Sequence, residues 1–577
     1  MHTLTDTPPA TTLAPVAAHQ RIEALDAVRG FALIGICLMN IEYFNRAIAT
    51  LGQGIPPGLT GFNWLAEWFV AYFVVGKFWT IFSLLFGMGF AVMLTRAERA
   101  GRGFLLPYIR RIIALAAFGT LHHIFLFAGD ILFSYAVGAV FLLVVLYGTW
   151  KWMLAAIAVA IGMAFIPGFG PGAGGAAGAL AFSGLIALYM RNEKRPLSLS
   201  VMSLILLVVG AIGFIAATVM LTMKVGPVEA RGPIFSISAL FLLLSFLSNK
   251  YHNPIEARPW RAGAAIYLFS FTMMTIGGLV DYLTPPEPVT PVVAANAATA
   301  VAATPAPAPA AAAKADPKHP AVKPALTEAQ KKAEAAAERQ KRLKERAEEV
   351  VNETKVATTG SYADVVRMRA KHFAEHAPGE SGFATVLIAM FLLGTWFIRS
   401  GVMENAANHL PLFRKLAYIG LPLGIGLGLA GSLIASTHLP GVQHDGFQLA
   451  TGLLMLGNLP ACLGYVGMIV LMLHSRSPFA KVRVLAPFGR MALTNYLCQS
   501  LVMSSVFFGY GLGYFGIGRG LQVVCALALC GLQIGFSHWW LARFRYGPAE
   551  WLWRAITYMQ IPAMRVEPAV NGMRAPA

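Results

Sequence analysis

The chain has 577 residues, 57% of them apolar and 12% charged, with a formal net charge of +18. A soluble chain carries about a quarter charged residues. Here apolar runs long enough to cross a bilayer, about 20 residues each, recur almost end to end, which excludes a soluble globular protein.

Residues 1–20 are Thr/Ala/Pro-rich and lack the basic n-region and apolar core of a signal peptide, so they read as a disordered cytoplasmic tail. Apolar runs then predict spans near 29–47, 65–95, 108–128, 130–149, 152–168, 175–190, 199–223, 233–249, 262–284, 382–400, 414–436, 447–474, 486–510 and 519–541. The short or Gly-rich ones could be re-entrant or interfacial, and 175–190 is the weakest. The expected fold class is all-α: a polytopic transmembrane helix bundle of about 12–14 spans, with an extramembrane Pro/Ala linker and one charged helix. Its parts are an N-terminal transmembrane core (21–174), additional helices (175–284), an extracytoplasmic linker and charged helix (285–378), a C-terminal core (379–545), and a cytoplasmic interfacial helix and tail (546–577).

The basic residues explain themselves by topology. They cluster in alternate connections, as at Arg96, Arg99 and Arg102, Arg110 and Arg111, and Arg476–Arg490, while Gly168–Gly175 and Ser436–Gln448 are poor in Lys and Arg. Both termini are therefore expected in the cytoplasm, with the bilayer, not nucleic acid, as the chain's partner. Most of the five cysteines lie within apolar runs, without metal-ligand spacing, and read as packing residues.

Residues 285–325 form a semi-rigid Pro/Ala linker. A charged helix over 327–353 follows, opened by a Thr327-x-x-Gln330 capping box. It reads as a solvated spacer outside the cytoplasm, or as an arm for an acidic envelope polymer. Residues 361–378 are amphipathic and suit the outer membrane–water interface.

Five stretches carry polar residues. In Arg21-Ile-Glu-Ala-Leu-Asp26-Ala-Val-Arg29-Gly30, Asp26 and Arg29 share a helix face at the cytoplasmic mouth. They anchor the span as an ion pair or recognise an anionic headgroup or cofactor, while Gly30 and Gly35 admit a neighbouring helix. Asn40 lies deeper, where an amide needs a polar partner. In the second stretch Lys77 sits inside an apolar run, either functional or paired with Glu67 or Asp130. In the third, Arg110 and Arg111 face the cytoplasm, and His122, His123 and Asp130 flank a turn at the far end of the same helix. A histidine oriented by a carboxylate is the arrangement of a general base; a satisfied interfacial histidine is the other reading. The fourth stretch, Gly489-Arg490-Met-Ala-Leu-Thr494-Asn495-Tyr496-Leu-Cys-Gln499, suits interhelical hydrogen bonds or a ligand cavity. The fifth, Gly547-Pro548-Ala-Glu550-Trp551-Leu-Trp553-Arg554, suits an interfacial helix sealing the cytoplasmic face.

Together these motifs, with Gly76-Lys77-Phe78, Phe82-Ser-Leu-Leu-Phe-Gly87, Gly129-Asp130 and Phe391-Leu-Leu-Gly394, resemble the YeiB family of bacterial inner-membrane proteins, carried as a domain of unknown function. The resemblance covers residues 21–150 and 380–560; roughly 175–350 looks like an insertion. That family is similar to transmembrane acyltransferases such as the heparan-α-glucosaminide N-acetyltransferase group, which take acyl groups from cytoplasmic acyl-CoA and use a histidine. No histidine lies between Asn40 and Lys77, where that group has its own, so His122 or His123 would substitute.

The resemblance implies an acyltransferase without a bound cofactor. Arg29, Arg110 and Arg111 would hold the phosphates of an acyl-CoA donor. His122 or His123, oriented by Asp130, would deprotonate an envelope glycan or lipid acceptor. Asn40, Lys77, Asn495 and Gln499 would contact substrate. Alternatively the protein is a transporter or flippase, with Lys77, Asp130, Asn495 and Gln499 along a polar path, or a scaffold whose arm is the 327–353 helix.

Overall fold

The computed structural model describes residues 22–166, 170–284, 328–439, 442 and 444–566. Among these residues twenty α-helices follow in chain order. The first group is α1 (Glu23–Asn40), α2 (Gly61–Phe69), α3 (Lys77–Arg99), α4 (Leu105–Phe125), α5 (Leu132–Tyr147), α6 (Trp150–Ala164) and α7 (Gly170–Arg191). Next come α8 (Val201–Thr222), α9 (Val228–Lys250), α10 (Arg258–Leu283), α11 (Glu328–Thr359), α12 (Tyr362–His376) and α13 (Glu380–Arg399). The last are α14 (Leu410–Lys415), α15 (Leu421–Ile434), α16 (Phe447–Leu473), α17 (Leu485–Arg490), α18 (Ala492–Phe507), α19 (Arg519–Leu541) and α20 (Pro548–Tyr558). Among the described residues nine helical stretches are long and apolar enough to cross a membrane, with three shorter apolar helices beside them. The expected all-α polytopic bundle is borne out.

The bundle is centred on α1, α3, α13 and α16, whose apolar side chains are buried on most faces. Bare helix surfaces make this density possible. A side chain at Gly30 would strike the Leu485 carbonyl, and one at Gly489 the Asp26 carbonyl, so α1 and α17 cross backbone to backbone. Gly87 and Gly394 do the same for α3 and α13. At the periphery α8 and α9 pack on each other and leave apolar side chains such as Ile212, Ile215 and Phe246 exposed, as lipid-facing helices do.

Two expected spans are broken. The run read as 65–95 divides into α2 and α3 through a π-helical turn, Val70–Val74, and a break at Gly76. With φ of +86°, Gly76 occupies a region that side chains resist. The run read as 486–510 divides at Met491 into α17 and α18. Apolarity does not change across either break, so hydropathy alone joins the pieces.

The charged helix runs over Glu328–Thr359, six residues further than expected, and Thr327, the linker 285–325 and the tail 1–20 lie outside the described residues. The helix is more than a solvated spacer. Glu353 accepts from Ala49 N (3.0 Å), Arg346 Nε donates to Ala49 O (2.9 Å), and Gly509 N donates to Ala357 O (2.8 Å). The amphipathic stretch forms α12, opened by a Ser361–Asp364 capping box. It lies against α4, with Arg369 buried under Phe508 and donating to Phe125 O (3.1 Å).

Candidate functional site

A cavity of about 220 Å³ opens between α1, α3, α4, α5, α17, α18 and α20. Its basic end is lined by Arg29, Arg111, Arg490 and Arg554, with one acid, Glu550; its inner end is closed by Ile131, Leu132, Tyr135 and Tyr496. From Arg29 to Ile36 it follows α1 for two turns, roughly 10 Å.

Each charge is held by local structure. Arg29 pairs with Asp26 at 2.7 Å, the i, i+3 contact read from the sequence, and still faces the cavity. Arg111 is sandwiched between aromatic rings, its guanidinium carbon 4.4 Å from the Trp553 ring centre and 6.0 Å from that of Phe86. Among the described residues no carboxylate lies within ion-pair reach of Arg111, and its Nε is buried without a hydrogen-bond partner. Trp553 Nε1 donates to Arg111 O (3.2 Å) and so ties α20 to α4. Arg554 lies over the Tyr546 ring at 4.6 Å.

Glu550 has a structural task. The break at Met491 exposes the first N–H groups of α18, which have no intrahelical partner. Glu550 Oε1 accepts from Leu493 N (2.6 Å) and Thr494 N (3.1 Å), and Oε2 from Thr494 Oγ1 (2.5 Å). The carboxylate is thus held at a helix N-terminus, where negative charge is favoured.

Behind the inner end stands the expected histidine–carboxylate pair. His122 Nδ1 lies 2.7 Å from Asp130 Oδ1, with both side chains buried. A carboxylate can only accept, so Nδ1 is the donor, and in the neutral ring Nε2 keeps its lone pair. Asp130 Oδ2 accepts from Leu132 N (2.9 Å) and Phe133 N (3.1 Å) and so caps α5. Tyr496 links pair and cavity: its hydroxyl donates to Asp130 Oδ1 (3.4 Å) and its ring packs on His122 at 4.9 Å. His122 Nε2 is buried without a hydrogen-bond partner.

The other named residues lie elsewhere. His123 turns away from Asp130, its Nε2 3.3 Å from His372 Nδ1 on α12. Arg110 is half-buried beside the cavity without lining it. Asn40 is buried at the far end of α1, outside the cavity. Lys77, fully buried, pairs with neither Glu67 nor Asp130; its Nζ donates to Tyr72 O at 2.6 Å and pins the π-helical turn. Glu67 instead meets Arg519 at 2.7 Å. Asn495 and Gln499 form the seam between α18 and α19. Asn495 Nδ2 donates to Ser537 Oγ (3.0 Å), Gln499 Nε2 to Gln533 Oε1 (3.0 Å), and Gln533 Nε2 to Asn495 O (3.0 Å). Sequence reasoning did not assign Arg490, Tyr135, Tyr496, Glu550, Trp553 or Arg554 to a site. Their signal was present as polar residues at the ends of apolar runs, but their convergence depends on contacts distant in the chain.

Fold and site together define a multi-pass membrane protein with an arginine-lined cavity that ends at a buried His–Asp pair. Residues 397–560, which supply Arg490, Tyr496, Glu550, Trp553 and Arg554, match the family described as protein of unknown function (DUF418). The chain is 24% identical to the uncharacterised protein YxaH of Bacillus subtilis over 554 residues, 95% of this chain and 96% of that one. It is 29% identical to the uncharacterised protein YeiB of Escherichia coli over 171 residues, 30% of this chain and 44% of YeiB. An uncharacterised 39.9 kDa protein of Bacillus acidopullulyticus is 38% identical over 111 residues, 19% of this chain and 30% of that protein. These matches bear out the YeiB-family resemblance. No solved structure matches the chain.

Proposed function

We infer that the protein is a membrane-embedded acyltransferase of the inner membrane, with both termini cytoplasmic, passing acyl groups from cytoplasmic acyl-CoA to an envelope glycan or lipid. The single observation that carries this reading is the adjacency of arginine cavity and His–Asp pair through Tyr496. Arginine forks suit phosphate oxygens, and His122 is oriented by Asp130 as a base that leaves Nε2 to accept a proton. With Tyr496 turned aside, Nε2 would take the proton of an acceptor hydroxyl as its oxygen attacks the thioester carbon. The carbon–sulfur bond then breaks, and the proton passes from His122 to the departing thiolate. At about 220 Å³ the cavity is smaller than the ~300 Å³ of a usual ligand pocket, so it would enclose the thioester arm and leave the nucleotide at the mouth.

The transporter reading is less well supported, since Lys77, Asn495 and Gln499 are engaged in backbone and interhelical hydrogen bonds and do not line the cavity. The purified protein in lipid nanodiscs, given radiolabelled acetyl-CoA and envelope glycolipid extract, should transfer label. His122→Ala should abolish transfer, while His123→Ala retains it. Full transfer by His122→Ala removes the base, and solute counterflow without acyl donor would favour transport.

A further inference from the structure

At the end of the bundle opposite the arginine mouth, α12 lies over the turn that carries Asp130. It reaches both flanks of that turn. Tyr362 Oη and Arg369 Nη1 each donate to Phe125 O (3.1 Å), and Phe373 packs edge-on against Phe133 with ring centres 5.1 Å apart. The helix is lightly anchored: of its 15 residues only Val365 and Arg369 are buried. Breaks at Gly360 and Ala377–Gly379 separate it from α11 and α13. Three histidines stand in a row along the contact. His123 Nε2 of α4 lies 3.3 Å from His372 Nδ1, and the His372 ring stacks on His376 with centres 3.9 Å apart. His376 Nδ1 in turn donates to His372 O (2.8 Å).

We propose that α12 is a proton-released cover, latched to α4 through the His123–His372 contact and freed when both rings are charged. A hydrogen bond between two ring nitrogens holds one proton, because one nitrogen donates and the other must keep its lone pair. Both nitrogens of a charged imidazole donate. A second proton on the pair therefore sets two N–H groups and two positive charges against each other. The surroundings do not offset that repulsion. His122 is bound to Asp130 at 2.7 Å, Glu375 is exposed and answers Lys371 at 3.7 Å, and Glu380 lies half-buried beside Asp130 and His376. Arg369 and His376 add positive charge. Among the described residues no carboxylate lies within ion-pair reach of His123, His372 or His376. Docked α12 thus binds the second proton more weakly than free α12. Docking is complete above the ordinary histidine range and is lost as pH falls below it. Release uncovers the Asp130 turn, which under the acyl-transfer reading is where an acceptor from beyond the membrane would arrive. The latch itself does not depend on that reading.

Hydrogen exchange of the full-length protein in nanodiscs, corrected for intrinsic rates, tests this at about pH 7.5 and pH 5.0. Residues 384–398 of α13 serve as the folded reference. A pair limited to one proton when docked takes two at the ordinary affinity when released, so opening of α12 should rise at least about tenfold at the lower pH. Exchange over residues 362–376 should follow that rise while the reference stays level. His372→Phe keeps a ring in the stack but takes no proton, and should lose the response. His376→Phe, exposed and outside the contact, should keep it. His123→Phe, whose ring can still meet Phe373, repeats the first test from the α4 side. Whether these two variants hold α12 closed or open at both pH values, the difference between the values should vanish. A wild-type rise below about twofold, or a full rise in His372→Phe or His123→Phe with the reference level, overturns the latch. Acyl transfer does not enter this measurement, so the latch and the enzyme reading fail separately.

Discussion

Asp130 performs two tasks with two oxygens, and they can be separated. Oδ2 caps α5 through Leu132 N and Phe133 N, while Oδ1 holds His122 Nδ1 and Tyr496. Asparagine caps a helix about as well as aspartate, but it cannot stabilise a charged imidazole. Asp130→Asn should therefore keep its thermal midpoint within a few degrees and lose acyl transfer by roughly 10²-fold or more, the scale of general-base catalysis. Asp130→Ala should lose both, its cap deletion costing about 1 kcal/mol. Equal transfer in Asp130→Asn and wild type would reduce Asp130 to a cap. The sequence made this pair legible, because only eight positions separate His122 from Asp130. It did not distinguish His122 from His123. Neighbouring helix positions point about 100° apart, and only the packing of α4 decides that one ring meets Asp130 and the other His372. Arg490 was visible as a basic residue at a helix end and Arg554 as one in an interfacial helix, where topology accounts for a positive charge equally well.

At the scale of elements, small residues fix where helices cross. Gly30 and Gly489 hold α1 against α17 and thereby set the separation of Arg29 and Arg490 across the cavity. Gly489→Val should force backbones apart and lower the detergent-solubilised thermal midpoint by several degrees, an overpacking cost of about 1–3 kcal/mol. Gly162→Ala, with no atom within 4 Å of the added carbon, should not. An unchanged midpoint in Gly489→Val would mean the crossing is loose. The role of Gly30 was legible, whereas the breaks at Gly76 and Met491 were not, because an interruption of the helix inside an apolar run leaves hydropathy unaltered. The docking of α11 carries a pH dependence. Burial is the main cause that pushes the Glu353 carboxyl above the usual range, reinforced by Glu349 and opposed by the N–H groups of Ala49 and Ile48. The docked helix therefore binds the proton more tightly than the free one. Its docking should be firmest below the ordinary carboxylate range and should weaken as pH rises through the raised value. Hydrogen exchange of residues 346–359 should thus be slower, after correction for intrinsic rates, at pH 4.5 than at pH 7.5. Glu353→Gln should flatten the difference, and a flat profile in the wild type would remove Glu353 as the cause.

For the whole molecule, the two ends of the bundle differ in kind. One carries the arginine mouth and α20; the other carries α11 and α12, sewn to the bundle by Glu353, Ala357 and Arg369. In the topology proposed above, positively charged short loops put the first end in the cytoplasm, whereas a long insert crosses largely regardless of its charge. That is why the basic helix α11 is expected outside. The acyltransferase reading depends on this assignment, because acyl-CoA is available only in the cytoplasm. Sidedness can be measured directly. With Cys37, Cys462, Cys498, Cys525 and Cys530 replaced, single cysteines at Glu338 on α11 and at Arg565 after α20 can be challenged with a membrane-impermeant maleimide. In intact cells Glu338→Cys should react and Arg565→Cys should not; inside-out vesicles should reverse the pattern. If Arg565→Cys reacts in intact cells, the arginine mouth faces outward and cytoplasmic acyl-CoA cannot be the donor.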